Sequence, residues 1–105
     1  SVVLIQASFA SGVPTRDAAS SSPDTTIAGS AGDYTITFPK GQFVHLVGAY
    51  VRLDEAAGIG QSVHWETLSA ALGTGAFETT SETVNTPVSP TDASVVYITL
   101  LVGAN

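Results

Sequence analysis

Alternating apolar and polar residues are the clearest signal along this chain, and they predict β-strands. In the stretch DYTITFP, the apolar residues Tyr34, Ile36 and Phe38 share one face, while Asp33 and two threonines share the other. A repeat of two residues is the pattern of a strand with one buried face. We therefore expect a strand here that covers a hydrophobic core.

The residues that follow predict a turn and a second strand. Pro39 cannot donate a hydrogen bond to a sheet and Gly41 adds backbone freedom, so we expect the chain to reverse direction at residues 39–42. Residues 43–53 are apolar on both faces over much of their length. That pattern favours a strand buried between two layers, at the centre of the fold, over an outer strand.

Strand patterns extend over most of the remaining chain, at residues 1–9, 25–29, 77–84 and 93–103. The last of these is β-branched and apolar on both faces, which predicts a central strand. About seven short strands separated by turn residues predict an all-β fold, either an antiparallel β-sandwich or a jelly roll. With 105 residues, the chain has the size of a single domain, residues 1–105.

Residues 62–72 fit two patterns. As a helix they would group Trp65, Leu68 and Leu72 on one face. As a strand they would direct Val63 and Trp65 inward, with His64 and Glu66 outward. We favour the strand, because the neighbouring segments are strands and two glycines follow closely.

Residues 10–25 are rich in serine, proline, aspartate and threonine and have no period, so we expect a long loop or an extended arm. Loops longer than about 12 to 15 residues are uncommon in compact domains unless they are functional or mobile. We therefore expect this arm to gain order against a partner. Together with the outer positions of the first strand, it forms a predicted interface of Val2, Leu4, Thr15, Arg16, Asp17 and Pro23.

Charge excludes one class of partner. Nine acidic residues and three basic ones give a net charge of −6, and 11% of the residues are charged. Phosphate backbones would be repelled, so we do not expect nucleic-acid binding. The first apolar run, SVVLI, is too short to span a bilayer and has no basic residues before it, so we expect neither a signal peptide nor a membrane anchor.

No catalytic or metal-binding pattern emerges from the titratable residues. The chain has no cysteine, and His45, His64 and Glu66 show no spacing that would bring three metal ligands together. Serines are plentiful, but the G-x-S-x-G elbow of many hydrolases is missing. We expect no enzymatic activity and no cofactor.

The other motifs have simpler explanations. Asp54 with Glu55, and Glu78 with Glu82, resemble acid/base pairs, but a chain this short rarely builds the cleft that glycoside cleavage requires. Asp92 lies near a turn without the D-x-D-x-D-G pattern of a calcium loop. The fragments GIG and GTG lack the full glycine fingerprint of a phosphate loop.

The two remaining aromatic candidates are Trp65 and Tyr50, either of which could stack on a sugar ring. A single tryptophan in a small sandwich more often belongs to the core. Free-standing carbohydrate-binding domains usually expose several aromatic residues, which this chain does not offer by sequence.

Two long stretches, IAGSAGDYTITFPKGQFVHLVGAYVRL and TDASVVYITLLVGAN, resemble small accessory proteins of tailed bacteriophage virions. The pattern is a Gly-x-Tyr-x-Ile/Val-Thr strand, a turn with proline and a basic residue, and a last strand of the type V-x-Y/F-x-x-L-L. The matching residues are Gly32, Tyr34, Ile36, Thr37, Pro39, Lys40, Val95, Tyr97, Leu100, Leu101 and Asn105.

This resemblance implies a non-enzymatic virion protein. It favours a capsid decoration or cement protein that binds the outer surface of a phage head, with the major capsid protein as partner and a trimer as the expected oligomer. The alternative is a receptor- or glycan-binding module at a fibre tip. The first is favoured because the chain has no coiled-coil stalk. Either protein would be made in the host cytoplasm and end in the virion.

Overall fold

Two four-stranded antiparallel sheets pack face to face in the computed structural model, which describes residues 1–40 and 43–104. The strands are β1 (Val2–Ala10), β2 (Val13–Arg16), β3 (Thr26–Ser30), β4 (Asp33–Thr37), β5 (Phe43–Asp54), β6 (Gln61–Ser69), β7 (Thr74–Ser81) and β8 (Val95–Ala104). Sheet A has the order β2-β1-β8-β5 and sheet B the order β3-β4-β7-β6. The prediction of an all-β sandwich is confirmed, with eight strands instead of about seven.

The core lies between the sheets and is filled by the alternating residues that the sequence pattern identified. In β4, Tyr34 and Ile36 are buried while the threonines face outward. Three strands, β1, β7 and β8, supply most of the remaining buried apolar residues: Val3, Ile5, Ala7, Phe9, Phe77, Val96, Ile98, Leu100 and Val102. Each side chain of this size removed from water contributes roughly 1.5–3 kcal/mol, which makes this core the main source of stability.

Aromatic contacts join the two sheets. The Phe9 ring from sheet A lies 5.0 Å from that of Tyr34, and Tyr34 lies 5.3 Å from Phe77. The Tyr34 hydroxyl donates a hydrogen bond to the carbonyl oxygen of Gly12 at 2.6 Å and accepts one from the amide of Gly32 at 3.2 Å. Burial is the main cause that raises the pKa of Tyr34, since it disfavours the phenolate. Tyr34 therefore fixes the turn between β1 and β2 to the opposite sheet.

Gly32 shows why its turn requires glycine. Its φ is +92°, and a Cβ atom there would lie 2.5 Å from the amide nitrogen of Val88. Its carbonyl oxygen accepts a hydrogen bond from Thr79 at 2.8 Å. A side chain at this position would therefore meet both backbone strain and a steric clash.

One strand is placed differently from the prediction. Residues 43–53 do form a strand, but β5 lies at the edge of sheet A and not between two layers, with Tyr50 exposed. β8 is a central strand of sheet A, as its sequence predicted, because it pairs with β1 on one side and β5 on the other. Residues 62–72 follow the strand prediction, with β6 ending at Ser69. The predicted turn at residues 39–42 includes Gly41 and Gln42, which lie outside the described residues.

Candidate functional site

The outer face of sheet A is unusually apolar for a surface in contact with water. The register aligns Val2 with Leu101 and Gly48, and the next outward row is Leu4, Thr99 and Tyr50. Large parts of these apolar side chains are exposed: Val2 by 56%, Leu4 by 44% and Tyr50 by 61%. We call Val2, Leu4, Tyr50 and Leu101 the apolar face.

Sequence explains how the apolar face is built. Outward positions of β1 and β8 carry valine and leucine where a solvent-facing strand would carry polar residues. The ring of Tyr50 lies over Gly48, next to Leu101. A Cβ atom added at Gly48 would be 3.1 Å from Tyr50 Cε2 and 3.4 Å from Leu101 Cδ1, so the absence of a side chain there leaves room for the ring. Val47 lies at a register shift between Leu46 and Gly48 and is 68% exposed.

The next row of the same face carries a positive charge. Gln6, Tyr97 and Arg52 align across β1, β8 and β5. The guanidinium carbon of Arg52 lies 4.3 Å from the centre of the Tyr97 ring, which is a cation–π contact. The apolar face is therefore limited at one end by an arginine that already has a partner.

A segment formed by residues 17–24, here called the edge segment, runs beside β1 where β2 no longer pairs with it. The amide of Asp17 donates to the carbonyl oxygen of Gln6 at 2.8 Å, and that of Ser22 donates to Leu4 at 2.7 Å. In return, the amide of Leu4 donates to Ser22 Oγ at 2.8 Å. These bonds satisfy backbone groups of β1 that an uncovered edge would leave open.

Arg16 fixes the end of the edge segment. Its Nη2 donates to the carbonyl oxygen of Ser22 at 2.7 Å and its Nε donates to Thr25 Oγ1 at 3.0 Å. Asp17 begins a short 3₁₀ turn, Ala18–Ser20, and accepts a hydrogen bond from the amide of Ala19. The predicted arm at residues 10–25 thus contains strand β2 and is tied to its own domain along most of its length.

A cleft opens where the edge segment meets the start of β1. It has a volume of about 370 Å³ and is lined by Ser1, Val2, Val3, Ser22, Pro23, Asp24 and Pro39. Its walls are largely apolar, and Asp24 supplies a carboxylate. Val2 belongs to both the cleft and the apolar face, so the two are continuous.

The predicted interface residues divide into three groups. Val2 and Leu4 lie on the apolar face, and Pro23 lines the adjoining cleft. Arg16 and Asp17 hold the edge segment in place instead, through the hydrogen bonds described above. Thr15 pairs with Ser8 in the ladder between β1 and β2. Tyr50 and Leu101 were not in the predicted set, although their outward positions on strands with two apolar faces gave a signal.

Sheet B presents a different surface, made of small and hydroxyl-bearing residues and one acidic group. Carboxylate oxygens of Asp33, Glu66 and Glu78 lie within 4.8 Å of one another. Nε2 of His64 lies 3.7 Å from Oε1 of Glu78. Partial burial, followed by repulsion from Glu66 and Asp33, raises the pKa of Glu78.

The histidines are not brought together. His45 belongs to β5 in sheet A, whereas His64 belongs to β6 in sheet B. The acidic group combines Asp33 from β4, Glu66 from β6 and Glu78 from β7. These strands become neighbours only through pairing in sheet B, so the spacing of the three residues in the sequence did not predict the group.

Other candidate residues have structural partners. The Glu55 carboxylate accepts hydrogen bonds from the amides of Ile59, Gly60 and Gln61, so it organises the loop between β5 and β6. Asp92 accepts from the amide of Ser11 at 2.8 Å. The Trp65 ring packs edge-on against Phe77 at 6.1 Å, as expected for a core residue.

No family model, curated protein or solved structure matches the chain. Within residues 1–40 and 43–104, no helix is long and apolar enough to cross a membrane.

Proposed function

We propose that this protein is a non-enzymatic decoration protein that binds the outer surface of a phage head through the outer face of sheet A. The observation that supports the proposal is the exposure of Val2, Leu4 and Tyr50 on one face, with Leu101 of β8 between β1 and β5. Contiguous apolar patches of this kind often mark interaction sites on soluble proteins. The resemblance of the strand and turn motifs to virion accessory proteins supplies the class of partner, the major capsid protein.

The size of the apolar face favours many weak contacts over one strong one. Three strands about 4.8 Å apart and rows about 7 Å apart cover roughly 15 Å by 15 Å. That area is well below the ~800 Å² per partner of a standard stable interface. A single contact of this size binds weakly, whereas copies that engage a repeating lattice as a trimer gain from avidity. A capsid surface provides such a lattice.

The loops offer less support for the alternative, a glycan-binding module at a fibre tip. The loop between β5 and β6 contains Glu55, and three backbone amides already occupy its carboxylate. Residues 74–81 form strand β7, which pairs with β4 and β6 and therefore offers no long binding loop. A sugar site in these regions would have to be built from the remaining side chains.

Co-sedimentation with purified heads tests the proposal. We would compare the wild-type protein with the double variant Leu4→Ser and Tyr50→Ser, whose side chains are exposed and contribute little to the core. The matched control is Ile59→Ser with Leu72→Ser, which removes similarly exposed apolar residues, 64% and 65%, from other parts of the surface. We expect the first variant to lose most binding and the control to keep it. Equal binding by both variants would contradict the proposal.

A further inference from the structure

We propose that the cleft beside the start of β1 binds one lysine or arginine side chain of the partner protein. This inference rests on the proposed function, because it assigns the chemistry of the partner surface that meets the apolar face. It goes further by naming Asp24 as the residue that selects a cation.

The volume and lining of the cleft fit an aliphatic chain with a charged end. Val2, Val3, Pro23 and Pro39 provide apolar walls, and Asp24 provides a carboxylate. Lysine and arginine side chains bury their methylene stems against apolar surface while the charged end stays near water. A volume of about 370 Å³ is at the lower end of the roughly 300–1,000 Å³ of small-molecule sites, so it suits a side chain better than a large ligand.

Asp24 is held in position by its neighbours. Its φ is +58°, a conformation that aspartate adopts more readily than most residues. On either side, Arg16 donates hydrogen bonds to the carbonyl oxygen of Ser22 and to Thr25 Oγ1. The backbone that carries the carboxylate therefore belongs to a hydrogen-bonded loop, which lowers the cost of ordering it around a bound cation.

Within the described residues, no cation of the chain forms a salt bridge with Asp24, and the Ser1 ammonium at the cleft donates instead to the carbonyl oxygen of Val102 at 2.9 Å. Across residues 1–40 and 43–104, no lysine or arginine forms a salt bridge with a carboxylate. Arg16 is used by the edge segment, and Arg52 stacks on Tyr97. With nine acidic residues, three basic ones and a net charge of −6, the protein complements a partner that carries the positive charge.

Continuity with the apolar face determines how the partner would dock. Val2 lines the cleft and also stands in the outward row with Leu101 and Gly48. A partner that covers the apolar face therefore passes over the mouth of the cleft. One basic side chain at the rim of its apolar patch would enter the cleft and set the orientation of the complex.

Nuclear magnetic resonance titration tests the cleft without the partner. The probe is Nα-acetyl-lysine methylamide, and Nα-acetyl-norleucine methylamide is the uncharged comparison. We expect the lysine probe to shift the amide signals of Val3, Ser22 and Asp24 with millimolar affinity. The norleucine probe should shift them less at the same concentration.

Asp24→Asn is the decisive variant, and Asp33→Asn, on the outer face of sheet B, is the control with the same change in charge. We expect Asp24→Asn to lower the affinity for the lysine probe by about fivefold, as for loss of a partly exposed ion pair. Asp33→Asn should leave that affinity unchanged. Equal affinity of the lysine and norleucine probes, or equal effects of the two variants, would overturn the inference.

Co-sedimentation with heads separates this inference from the proposed function. If wild-type protein binds heads and Asp24→Asn binds equally well, the cleft assignment fails while the proposed function stands. If wild-type protein binds no heads but the lysine probe binds the cleft in an Asp24-dependent way, the capsid assignment fails while the cation site stands. If Asp24→Asn abolishes self-association in light scattering, the cation comes from a second copy, and the inference of a foreign partner is wrong.

Discussion

Arg16 and Ser22 are joined by a hydrogen bond of 2.7 Å between Nη2 and the carbonyl oxygen, and this bond ties the edge segment to β2. In the same segment, the hydroxyl oxygens of Ser22 and Ser21 accept hydrogen bonds from the backbone amides of Leu4 and Gln6, respectively. Arg16 thus acts indirectly on β1, the strand that carries much of the apolar face. Its role is to keep the edge of sheet A covered.

Replacing Arg16 should loosen the edge segment without unfolding the core. We expect Arg16→Ala to lower the free energy of unfolding by about 1–3 kcal/mol, the usual effect of removing a charged hydrogen-bond donor. Hydrogen exchange should accelerate at the amides of Leu4 and Gln6, which depend on Ser22 and Ser21. Arg52→Ala has the same change in charge and should leave these two amides unchanged. Unaltered exchange in Arg16→Ala would contradict this role.

Tyr34→Phe tests the link between the sheets. The variant keeps the ring packing but leaves the carbonyl oxygen of Gly12 without its donor, so we expect a loss of about 1–3 kcal/mol in the free energy of unfolding. Tyr50→Phe, at an exposed position, should change stability by less than about 0.5 kcal/mol. Chemical denaturation measures both. Equal stability of the two variants would show that the Tyr34 hydroxyl contributes little.

Alkaline pH gives a second measurement on Tyr34. Because the pKa of Tyr34 is raised in the folded protein, the folded state holds the phenol proton more tightly than the unfolded state. The stabilisation is complete below a pH of about 10 and is lost as pH rises through the raised pKa. We expect the stability of the wild-type protein to fall more steeply above that pH than the stability of Tyr34→Phe. Parallel curves would contradict the assignment.

The edge position of β5 shows what the hydrophobic pattern cannot decide. Apolar residues on both faces predicted a strand between two layers, yet Tyr50 is exposed. In β8 the same pattern correctly predicted a central strand. A strand can be apolar on its outer face because it packs under another layer or because it binds another molecule, and sequence does not separate these cases. Pairing partners, which come from distant residues, decide between them.

The edge segment shows that a sequence without a periodic pattern can still be ordered within its own domain. Its serine- and proline-rich sequence has no period, so it predicted an arm that gains order against a partner. Its order instead comes from Arg16, Ser21 and Ser22, whose hydrogen bonds reach residues from 6 to 18 positions away. The alternation of Tyr34, Ile36 and Phe38, by contrast, was enough to predict one buried face, because that pattern is local.

The acidic group on sheet B predicts a pH effect. The pKa of Glu78 is raised in the folded protein, where it faces Asp33, Glu66 and His64. The free energy of unfolding should therefore fall as pH rises from about 4.5 through the raised pKa of Glu78. We expect Glu78→Gln to remove that fall, whereas Glu82→Gln should retain it. Denaturation curves between pH 4 and 8 would detect the difference, and identical profiles for both variants would refute it.

Binding to heads should resist salt. Exposed ion pairs contribute about 0–1 kcal/mol each, so burial of the apolar face has to supply most of the binding free energy. From about one to ten times physiological ionic strength, the screening length falls from about 8 Å to below 3 Å. We expect most copies to remain on the heads across this range of sodium chloride. Release of most copies would mean that electrostatic attraction dominates.

Cryo-electron microscopy of heads carrying the protein tests the docking surface most directly, because it shows which face of the sandwich meets the shell. We expect the outer face of sheet A to lie against the major capsid protein, with Leu4 and Tyr50 in the contact. The threonine-rich face of sheet B should point toward solvent. A map in which sheet B contacts the shell, or in which the protein occupies a fibre tip and not the head, would contradict the proposed function.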